Sequence, residues 1–291
     1  MQEAKSRGGA LAAIIELTKV KITIAVTLST LTGYILYAGI IDKTAIWASL
    51  GVFLLASSSA ALNQFQERRT DALMNRTSKR PLPSGRISIS NTFFVVISLF
   101  LAGSLILYFM TNETSLAIGL MTFVWYNLIY TPLKYRTVFA LIVGSVIGAL
   151  PPVIGFTAAG GSAIAPAIIF LAFFIYVWQV PHFILLLLLY GDDYKNAGLP
   201  VISTYYPEDR VKRIIFVWIL GTMIVGFMLP FMCALEHLIT TLLILLLSAA
   251  LMFSMIGLLS KKRPFRVKRS FVLMNVYLVL VLALISVDRL V

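Results

Sequence analysis

Nine long apolar stretches make up most of this chain, and short polar segments separate them. Each stretch holds about 20 mostly apolar residues, the length that a helix needs to cross roughly 30 Å of hydrocarbon. The predicted spans are residues 22–41, 46–66, 91–110, 114–133, 138–158, 165–190, 213–235, 238–259 and 271–288. The pattern therefore predicts an all-α polytopic membrane protein in which residues 1–291 form a single intramembrane domain.

The composition supports this fold class. Of the 291 residues, 59% are hydrophobic and 12% are charged, about half the charged share of an ordinary soluble domain. A soluble enzyme and a disordered protein are therefore excluded, and the single cysteine, Cys233, excludes a disulfide scaffold. The net charge of +12 does not indicate a nucleic-acid partner, because the basic residues follow the pattern of a protein in a lipid bilayer.

The basic residues are strongly segregated along the chain. Of 24 Lys and Arg residues, 22 lie in the N-terminal segment or in the loops after the second, fourth, sixth and eighth spans; Lys43 and Arg289 are the exceptions. The positive-inside rule then places the N-terminus and these loops in the cytoplasm.

Residues 1–21 are predicted to be a cytoplasmic or interfacial segment. Within it, residues 10–19 are expected to form a short interfacial helix with Glu16 and Lys19 facing water. The segment lacks the pattern of a secretory signal or a transit peptide, which favours a bacterial inner membrane.

Oxygen-bearing side chains form a stripe at the cytoplasmic end of the second span. Asn63, Glu67 and Asp71 are spaced four residues apart, so they share one face of a helix. Carboxylate and amide oxygens are the ligands that Mg²⁺ prefers. A second acidic pair, Asp192 and Asp193, ends the sixth span on the same side of the membrane.

Cations surround both acidic groups, and the pattern allows two interpretations. The nearby basic residues are Arg68, Arg76, Lys79, Arg80, Lys134 and Arg136. Carboxylates among cations describe a site for a metal–diphosphate complex. Solvated ion pairs with a purely topological role are the alternative, although Asn63 inside an apolar run favours a function.

The stretch around the acidic stripe resembles a known family. Residues 63–85 read NQFQERRTDALMNRTSKRPLPSG, similar to the first signature of the UbiA-type intramembrane prenyltransferases, N-x-x-x-[DE]-x-x-x-D. The continuation M-x-R-T-x-x-R-P-L-P-x-G, residues 74–85, resembles the haem-farnesylating branch, the protohaem IX farnesyltransferases. Further similar blocks are YNLIYTPLKYRT at 126–137, GSVIGALPP at 144–152, WQVPHF at 178–183 and DDYKNAGLP at 192–200.

The resemblance implies a nine-helix bundle and a reaction. A farnesyl group from farnesyl diphosphate would join a vinyl group of haem b, with addition of water, to give haem O. Two Mg²⁺ ions would bind with the diphosphate, and a haem A synthase is a possible partner. Leu189 stands where many relatives carry the first aspartate of a second D-x-x-x-D motif, which favours the haem branch and leaves fewer carboxylates for a second ion.

The resemblance also implies site roles. The expected catalytic residues are Asn63, Glu67, Asp71 and Asp193, with Glu67, Asp71, Asp193 and Asp192 as metal ligands. The expected diphosphate ligands are Arg76, Arg80, Lys134 and Arg136. The expected haem-binding residues are His182, Trp178, Gln179, Tyr126 and Tyr130; His182 is a possible iron ligand, and a packing role for it stays open.

Two other functions remain open at this point. A UbiA-type enzyme with an aromatic quinone-precursor acceptor would share the first signature, and a transporter would share the span count. Gly144 and Gly148 are expected to allow close helix approach. Pro151 and Pro152 are expected to break the fifth span.

Overall fold

The nine predicted spans are confirmed within the part of the chain that the structure describes. The structure is a computed structural model that describes residues 2–256 and 266–291. Within these residues, nine helical segments are long and apolar enough to cross a membrane. The end of the eighth predicted span and the start of the basic loop after it, residues 257–265, lie outside the described residues.

The described residues fold into helices, with a π-helix at Trp125–Tyr130 between α5 and α6. The α-helices are α1 (Gln2–Leu17), α2 (Val20–Ala38), α3 (Lys43–Asp71), α4 (Ile89–Met110), α5 (Glu113–Val124), α6 (Thr131–Leu133), α7 (Ala140–Ala158), α8 (Pro166–Leu189), α9 (Gly191–Asn196), α10 (Ile202–Tyr205), α11 (Glu208–Met232), α12 (Leu238–Met255) and α13 (Val267–Leu290). Together, α5, the π-helix and α6 form the fourth span.

Helices α7 and α8 form the centre of the bundle. Helix α7 packs against α2, α3, α5 and α8, while α8 packs against α7, α11 and α13. Both are more than half buried, whereas α4 is 17% buried and faces outward. The large apolar side chains of α8, with Phe174 fully buried among them, form the main core with α11 and α13.

The backbones of α2 and α7 approach each other closely at two glycines. A side chain at Gly33 would collide with the carbonyl of Pro152, and one at Gly155 would collide with the carbonyl of Thr30. The prediction that Pro151 and Pro152 break the fifth span is wrong, because α7 continues through both prolines to Ala158. Each proline costs one intrahelical hydrogen bond, and the tight contact with α2 compensates.

Helix α3 is long enough to carry its last turns beyond the hydrocarbon. It begins at Lys43, where the side chain of Asp42 accepts a hydrogen bond from the N–H of Ala45 at 2.9 Å, and it continues for 29 residues. At about 1.5 Å per residue this is roughly 44 Å, compared with about 30 Å of hydrocarbon. Glu67 and Asp71 lie in the last two turns of this helix.

The N-terminal segment differs from the prediction in one important respect. The first helix covers Gln2–Leu17, and the exposed Glu16 forms an ion pair with Arg86 at 2.6 Å. Lys19 does not face water: it lies at the corner between α1 and α2, and its ammonium is directed into the bundle towards Asn63. The expectation that Lys19 is a solvated charge is therefore wrong.

Candidate active site

The predicted stripe on α3 is buried against other helices. Asn63, Glu67 and Asp71 are 2%, 5% and 1% exposed, and their i, i+4 and i+8 spacing keeps them on one face. Two carboxylates buried this deeply require cationic or hydrogen-bonding partners. The structure supplies a separate cationic partner for each of them.

Basic side chains from two other segments reach the carboxylates. Lys134, which follows α6, places Nζ 2.9 Å from Oε1 of Glu67. Arg80, in the loop after α3, places one guanidinium nitrogen 2.8 and 2.7 Å from the two carboxylate oxygens of Asp71. The prediction that Lys134 and Arg80 lie beside the acidic stripe is thus realised in the fold.

Lys19 is the site residue that sequence reasoning missed. Its Nζ donates to Oδ1 of Asn63 at 2.9 Å, and its backbone adopts a left-handed conformation with φ of 51°, uncommon for a residue other than glycine. Gln64 on α3 fixes this corner by donating to the carbonyls of Glu16 and Leu17. In the sequence, Lys19 carries only the signals of a positive-inside charge and of a water-facing position on the N-terminal segment.

These five residues, Lys19, Glu67, Asp71, Arg80 and Lys134, are called the charged cluster below. It holds three cations against two carboxylates, so it carries an excess positive charge. Burial and the nearby charges of Arg80 and Lys134 lower the pKa of Lys19 to about 8. Burial alone would lower the pKa of Lys134, but the carboxylate of Glu67 outweighs burial and raises it well above its usual value. The excess charge makes the cluster a binding site for an anion.

The loop that carries Arg76 and Arg80 is held against the end of α3. Thr77 donates to the backbone carbonyl of Asp71 at 2.9 Å. From α9, the two carboxylate oxygens of Asp193 accept the backbone N–H groups of Asn75 and Arg76 at 3.1 and 3.2 Å. Asp193 therefore docks the loop onto the sixth span and brings the two predicted acidic regions together.

The remaining predicted diphosphate and metal residues are more exposed. Arg76 is exposed, with its guanidinium 4.5 Å above the ring centre of Tyr190. Asp192 and Arg136 are also exposed, and neither forms an ion pair within the described part of the chain. The structure does not bring Asp192 or Arg136 into the charged cluster.

The donor set fits Mg²⁺ if phosphate oxygens complete it. Among the described residues, no group of three or more His, Cys, Asp or Glu side chains comes close enough to hold a metal ion. Mg²⁺ is ordinarily bound by one or two carboxylates together with substrate phosphates and water, rather than by a cage of protein ligands. Glu67 and Asp71 meet that requirement, with Asn63 as a further oxygen on the same face.

Aromatic rings connect the charged cluster with helix α13. Tyr126 and Tyr130 are stacked with ring centres 5.7 Å apart, and Tyr130 is stacked on Phe183 at 6.3 Å. Phe183 lies 5.7 Å from His182, and His182 lies 4.9 Å from Phe271 of α13. These five residues are called the aromatic row.

His182 is half-buried in apolar surroundings, and one of its ring nitrogens is buried and unpaired. Its ring lies between Phe271 and the ring of Trp178, which is 4.7 Å away, and its Nδ1 is buried without a hydrogen-bond partner. Trp178 donates its indole N–H to the carbonyl of Met274 at 2.7 Å. An unpaired polar atom in such a place is costly unless it serves a ligand.

Two glycines of α7 make room for site side chains. A Cβ at Gly144 would collide with the ring of Tyr130, and one at Gly148 would collide with the amide of Gln179. Gln179 therefore packs towards α7, whereas Trp178 and His182 face α13. The expected close helix approach is found instead at Gly33 and Gly155.

A cavity of about 660 Å³ lies beside the aspartate pair, between the end of α8, α9, α11 and α13. Its apolar lining includes Leu189, Val211 and Val267, and its polar lining includes Asp192 and Asp193. Leu189 follows His182 by seven residues, so the two lie on nearly the same face of α8. The volume is within the range of small-molecule and cofactor sites.

Comparison with known proteins identifies the class. The profile of the UbiA prenyltransferase family matches residues 26–279. This chain belongs to that family and is a prenyltransferase enzyme of the membrane.

Its similar curated relatives are more specific. A protoheme IX farnesyltransferase of Nitratidesulfovibrio vulgaris is 34% identical over 243 residues, which cover 84% of this chain and 85% of that protein. A protoheme IX farnesyltransferase of Geobacter sulfurreducens is 43% identical over 159 residues, covering 54% of this chain and 58% of that protein.

Solved structures share the fold at low sequence identity. A digeranylgeranylglyceryl phosphate synthase has a TM-score of 0.79 at 17% identity, covering 97% of this chain and 99% of that one. A UbiA homolog from Archaeoglobus fulgidus, bound to GPP and Mg²⁺, has a TM-score of 0.70 at 16% identity, covering 94% and 99%. The bundle formed by the described residues, with its nine candidate spans, therefore has the UbiA fold.

Proposed function

We propose that this enzyme transfers the farnesyl group of farnesyl diphosphate to a vinyl group of haem b, with addition of water, and so produces haem O. The observation that carries the proposal is the charged cluster with its excess positive charge, joined by the aromatic row to a histidine whose Nδ1 is buried and unpaired. The names of the similar curated relatives support the same donor and acceptor.

The charged cluster binds the diphosphate and stabilises it as it leaves. Lys19, Arg80 and Lys134 face the phosphate oxygens, and Arg76 adds charge from the adjacent loop. Glu67 and Asp71 would hold Mg²⁺ together with the diphosphate, and the ion would neutralise part of the leaving group's charge. Preorganised charges of this kind supply large rate enhancements because they need not reorganise during the reaction.

A second metal ion is part of the proposal. The carboxylate of Asp193 uses one lone pair of each oxygen for the loop N–H groups, and each oxygen keeps a second lone pair. Asp193 is the ligand for this ion, with Asp192 beside it. Equilibrium dialysis with Mn²⁺ and inorganic diphosphate counts the ions: two for the wild type and one for Asp193→Asn support this assignment, and one for both contradicts it.

The acceptor lies along the aromatic row. His182 ligates or orients the haem iron, while Trp178 and Tyr130 contact the macrocycle and Gln179 borders it. Tyr126 and Tyr130 present π-faces to the allylic cation that forms when the diphosphate leaves. Asn63 directs its carbonyl oxygen towards Lys19 in the charged cluster. The cavity beside Leu189 gives the macrocycle space on the face of α8 that carries His182.

The charged cluster is proposed to face the cytoplasm in a bacterial inner membrane, with residues 1–291 acting as one domain. In the Cys233→Ser background, Ser84→Cys and Ile41→Cys lie at opposite ends of the bundle. Labelling of Ile41→Cys alone by an impermeant maleimide in intact cells supports this orientation, and labelling of Ser84→Cys alone reverses it. Haem O formed on this side would be handed to a haem A synthase.

Turnover of purified enzyme tests the function. The protein in detergent receives haem b, farnesyl diphosphate and Mg²⁺, and the extracted haem is analysed by mass spectrometry. We expect haem heavier by one farnesyl group and one hydroxyl group, and we expect no such product after chelation or in Asp71→Asn. The control Glu113→Gln, an exposed carboxylate at the other end of the bundle, should retain activity. Prenylation of an aromatic acid with unmodified haem would overturn the acceptor assignment.

A further inference from the structure

A buried threonine connects the π-helix to Asn63. Thr131, 2% exposed, directly follows the π-helix, and its Oγ1 donates to the backbone carbonyl of Tyr126 at 2.9 Å. The same Oγ1 accepts from Nδ2 of Asn63 at 3.1 Å. Oδ1 of Asn63 in turn accepts from Nζ of Lys19 at 2.9 Å.

The π-helix brings the threonine to this position. In an α-helix a threonine hydroxyl bonds the carbonyl four residues earlier, whereas Thr131 reaches the carbonyl five residues earlier. The backbone N–H of Thr131 donates to the same carbonyl of Tyr126, as a π-turn requires. The irregular segment thus fixes a hydroxyl directly beside the acidic face of α3.

The donor count fixes the direction of the chain of hydrogen bonds. A hydroxyl has one proton, and Thr131 gives it to Tyr126. From Asn63, therefore, Thr131 can only accept, so the NH₂ of the amide faces Thr131 and its oxygen faces Lys19. When Lys19 turns to a bound phosphate, Thr131 is the remaining constraint on the orientation of this amide.

We propose that Thr131 is a positioning residue that keeps the carbonyl oxygen of Asn63 directed towards the ammonium of Lys19, a cation of the diphosphate site. This inference rests on the proposed function of the charged cluster in binding diphosphate. It does not depend on which acceptor receives the prenyl group.

Two substitutions and one matched control test the role kinetically. Thr131→Val keeps the shape and removes the hydroxyl, while Thr131→Ser keeps the hydroxyl. Thr222→Val removes a buried hydroxyl of α11 that bonds only its own helix, to Trp218 at 2.9 Å. We expect Thr131→Val to lower kcat about tenfold, in line with the loss of one strong hydrogen bond, with KM for farnesyl diphosphate changed less than threefold. Thr131→Ser should restore at least half of kcat.

Binding of inorganic diphosphate with Mg²⁺ gives a readout that needs no acceptor. The groups facing Lys19 are Glu67 and Asp71 on α3, Arg80 in the following loop and Lys134 after α6. Without Thr131, Asn63 holds the charged form of Lys19 less well. We therefore expect the alkaline midpoint of diphosphate affinity to move down by about half a pH unit in Thr131→Val, and to stay in place in Thr131→Ser.

The two arms separate failure of this inference from failure of the proposed function. If haem stays unmodified by the wild type while the midpoint shifts as described, the acceptor assignment falls and the role of Thr131 stands. The inference is overturned if Thr131→Val matches Thr222→Val within twofold in kcat and the midpoint does not move. It is also overturned if the kcat of Thr131→Ser falls as far as that of Thr131→Val.

Discussion

Both ends of the bundle bury carboxylates, but they hold them by different means. At one end, Glu67 and Asp71 are paired with the cationic side chains of Lys134 and Arg80. At the other end, Asp288, 2% exposed, accepts the backbone N–H groups of Glu236 and His237 at 2.9 and 3.1 Å.

The buried carboxylates at the two ends therefore differ in whether their partners can be exchanged for a ligand. Backbone amides at the turn before α12 cannot leave Asp288 without local unfolding, so that carboxylate ties α13 to the α11–α12 turn. Side-chain cations can turn from a carboxylate to a phosphate as the carboxylate takes up a metal ion. A buried carboxylate is therefore informative about function only when its partners are known.

Replacing Asp71 should mainly lower activity, whereas replacing Asp288 should mainly lower stability. Asp71→Asn removes a metal ligand and leaves Arg80 without its partner, so we expect kcat/KM to fall more than 100-fold, about 2.7 kcal/mol of transition-state stabilisation. Asp288→Asn should keep kcat/KM within threefold and lower Tm by several degrees, because it weakens two charge-assisted hydrogen bonds. Turnover followed by mass spectrometry measures the activity of both variants, and thermal unfolding measures their stability. Equal losses of turnover in the two variants would contradict the proposed difference between the two ends.

The excess charge of the cluster should give diphosphate binding a characteristic pH dependence. Lys19 binds an anion only when it is protonated, and its pKa is about 8. From pH 7 upward, affinity for inorganic diphosphate with Mg²⁺ should therefore fall as the pH rises through 8.

Lys19→Arg is the matched control, because arginine stays charged at these pH values. It should keep its affinity up to pH 9, whereas Lys19→Met should bind about 30-fold more weakly than the wild type at pH 7. Calorimetric titration at several pH values measures this. An unchanged alkaline loss of affinity in Lys19→Arg would show that Lys19 is not the titrating group.

The two histidines extend the comparison. His182 is enclosed by Trp178 and Phe271, whereas His237 is 46% exposed at its side chain and lies 3.5 Å from Asp288. We expect His182→Ala to weaken haem b binding about tenfold, from loss of an iron contact or of ring stacking, and His237→Ala to leave it unchanged. Spectroscopic haem titration measures both, and undiminished haem binding by His182→Ala would refute the acceptor assignment of this residue.

The smallest expected effect is on KM for farnesyl diphosphate, in a comparison of one buried cation with one exposed cation. Lys134 is paired with Glu67 inside the cluster, and Arg136, two residues later, is exposed. Arg136→Ala should change KM for farnesyl diphosphate less than threefold, while Lys134→Ala should raise it at least tenfold. Steady-state kinetics at a fixed haem b concentration gives KM for both variants. Similar KM values would mean that the buried lysine contributes no more to binding of farnesyl diphosphate than the exposed arginine does.

The sequence predicted the features that depend on local spacing. Hydrophobic length gave the nine spans, and the i, i+4 rule placed Asn63, Glu67 and Asp71 on one face. Lys19 was missed because its role depends on a left-handed corner and on a contact 44 residues away along the chain. The roles of Gly144 and Gly148 depend on which side chains pack against them. Such non-local facts leave no periodic signal in a single sequence.

The central claim is that diphosphate binds in the charged cluster while haem lies along the aromatic row. The most direct measurement is a structure of the enzyme with Mg²⁺, haem b and farnesyl thiodiphosphate, a slowly reacting donor analogue. We predict diphosphate oxygens within hydrogen-bonding distance of Lys19, Arg80 and Lys134, and haem beside His182. Diphosphate bound outside the cluster, or haem bound away from α8, would contradict this account.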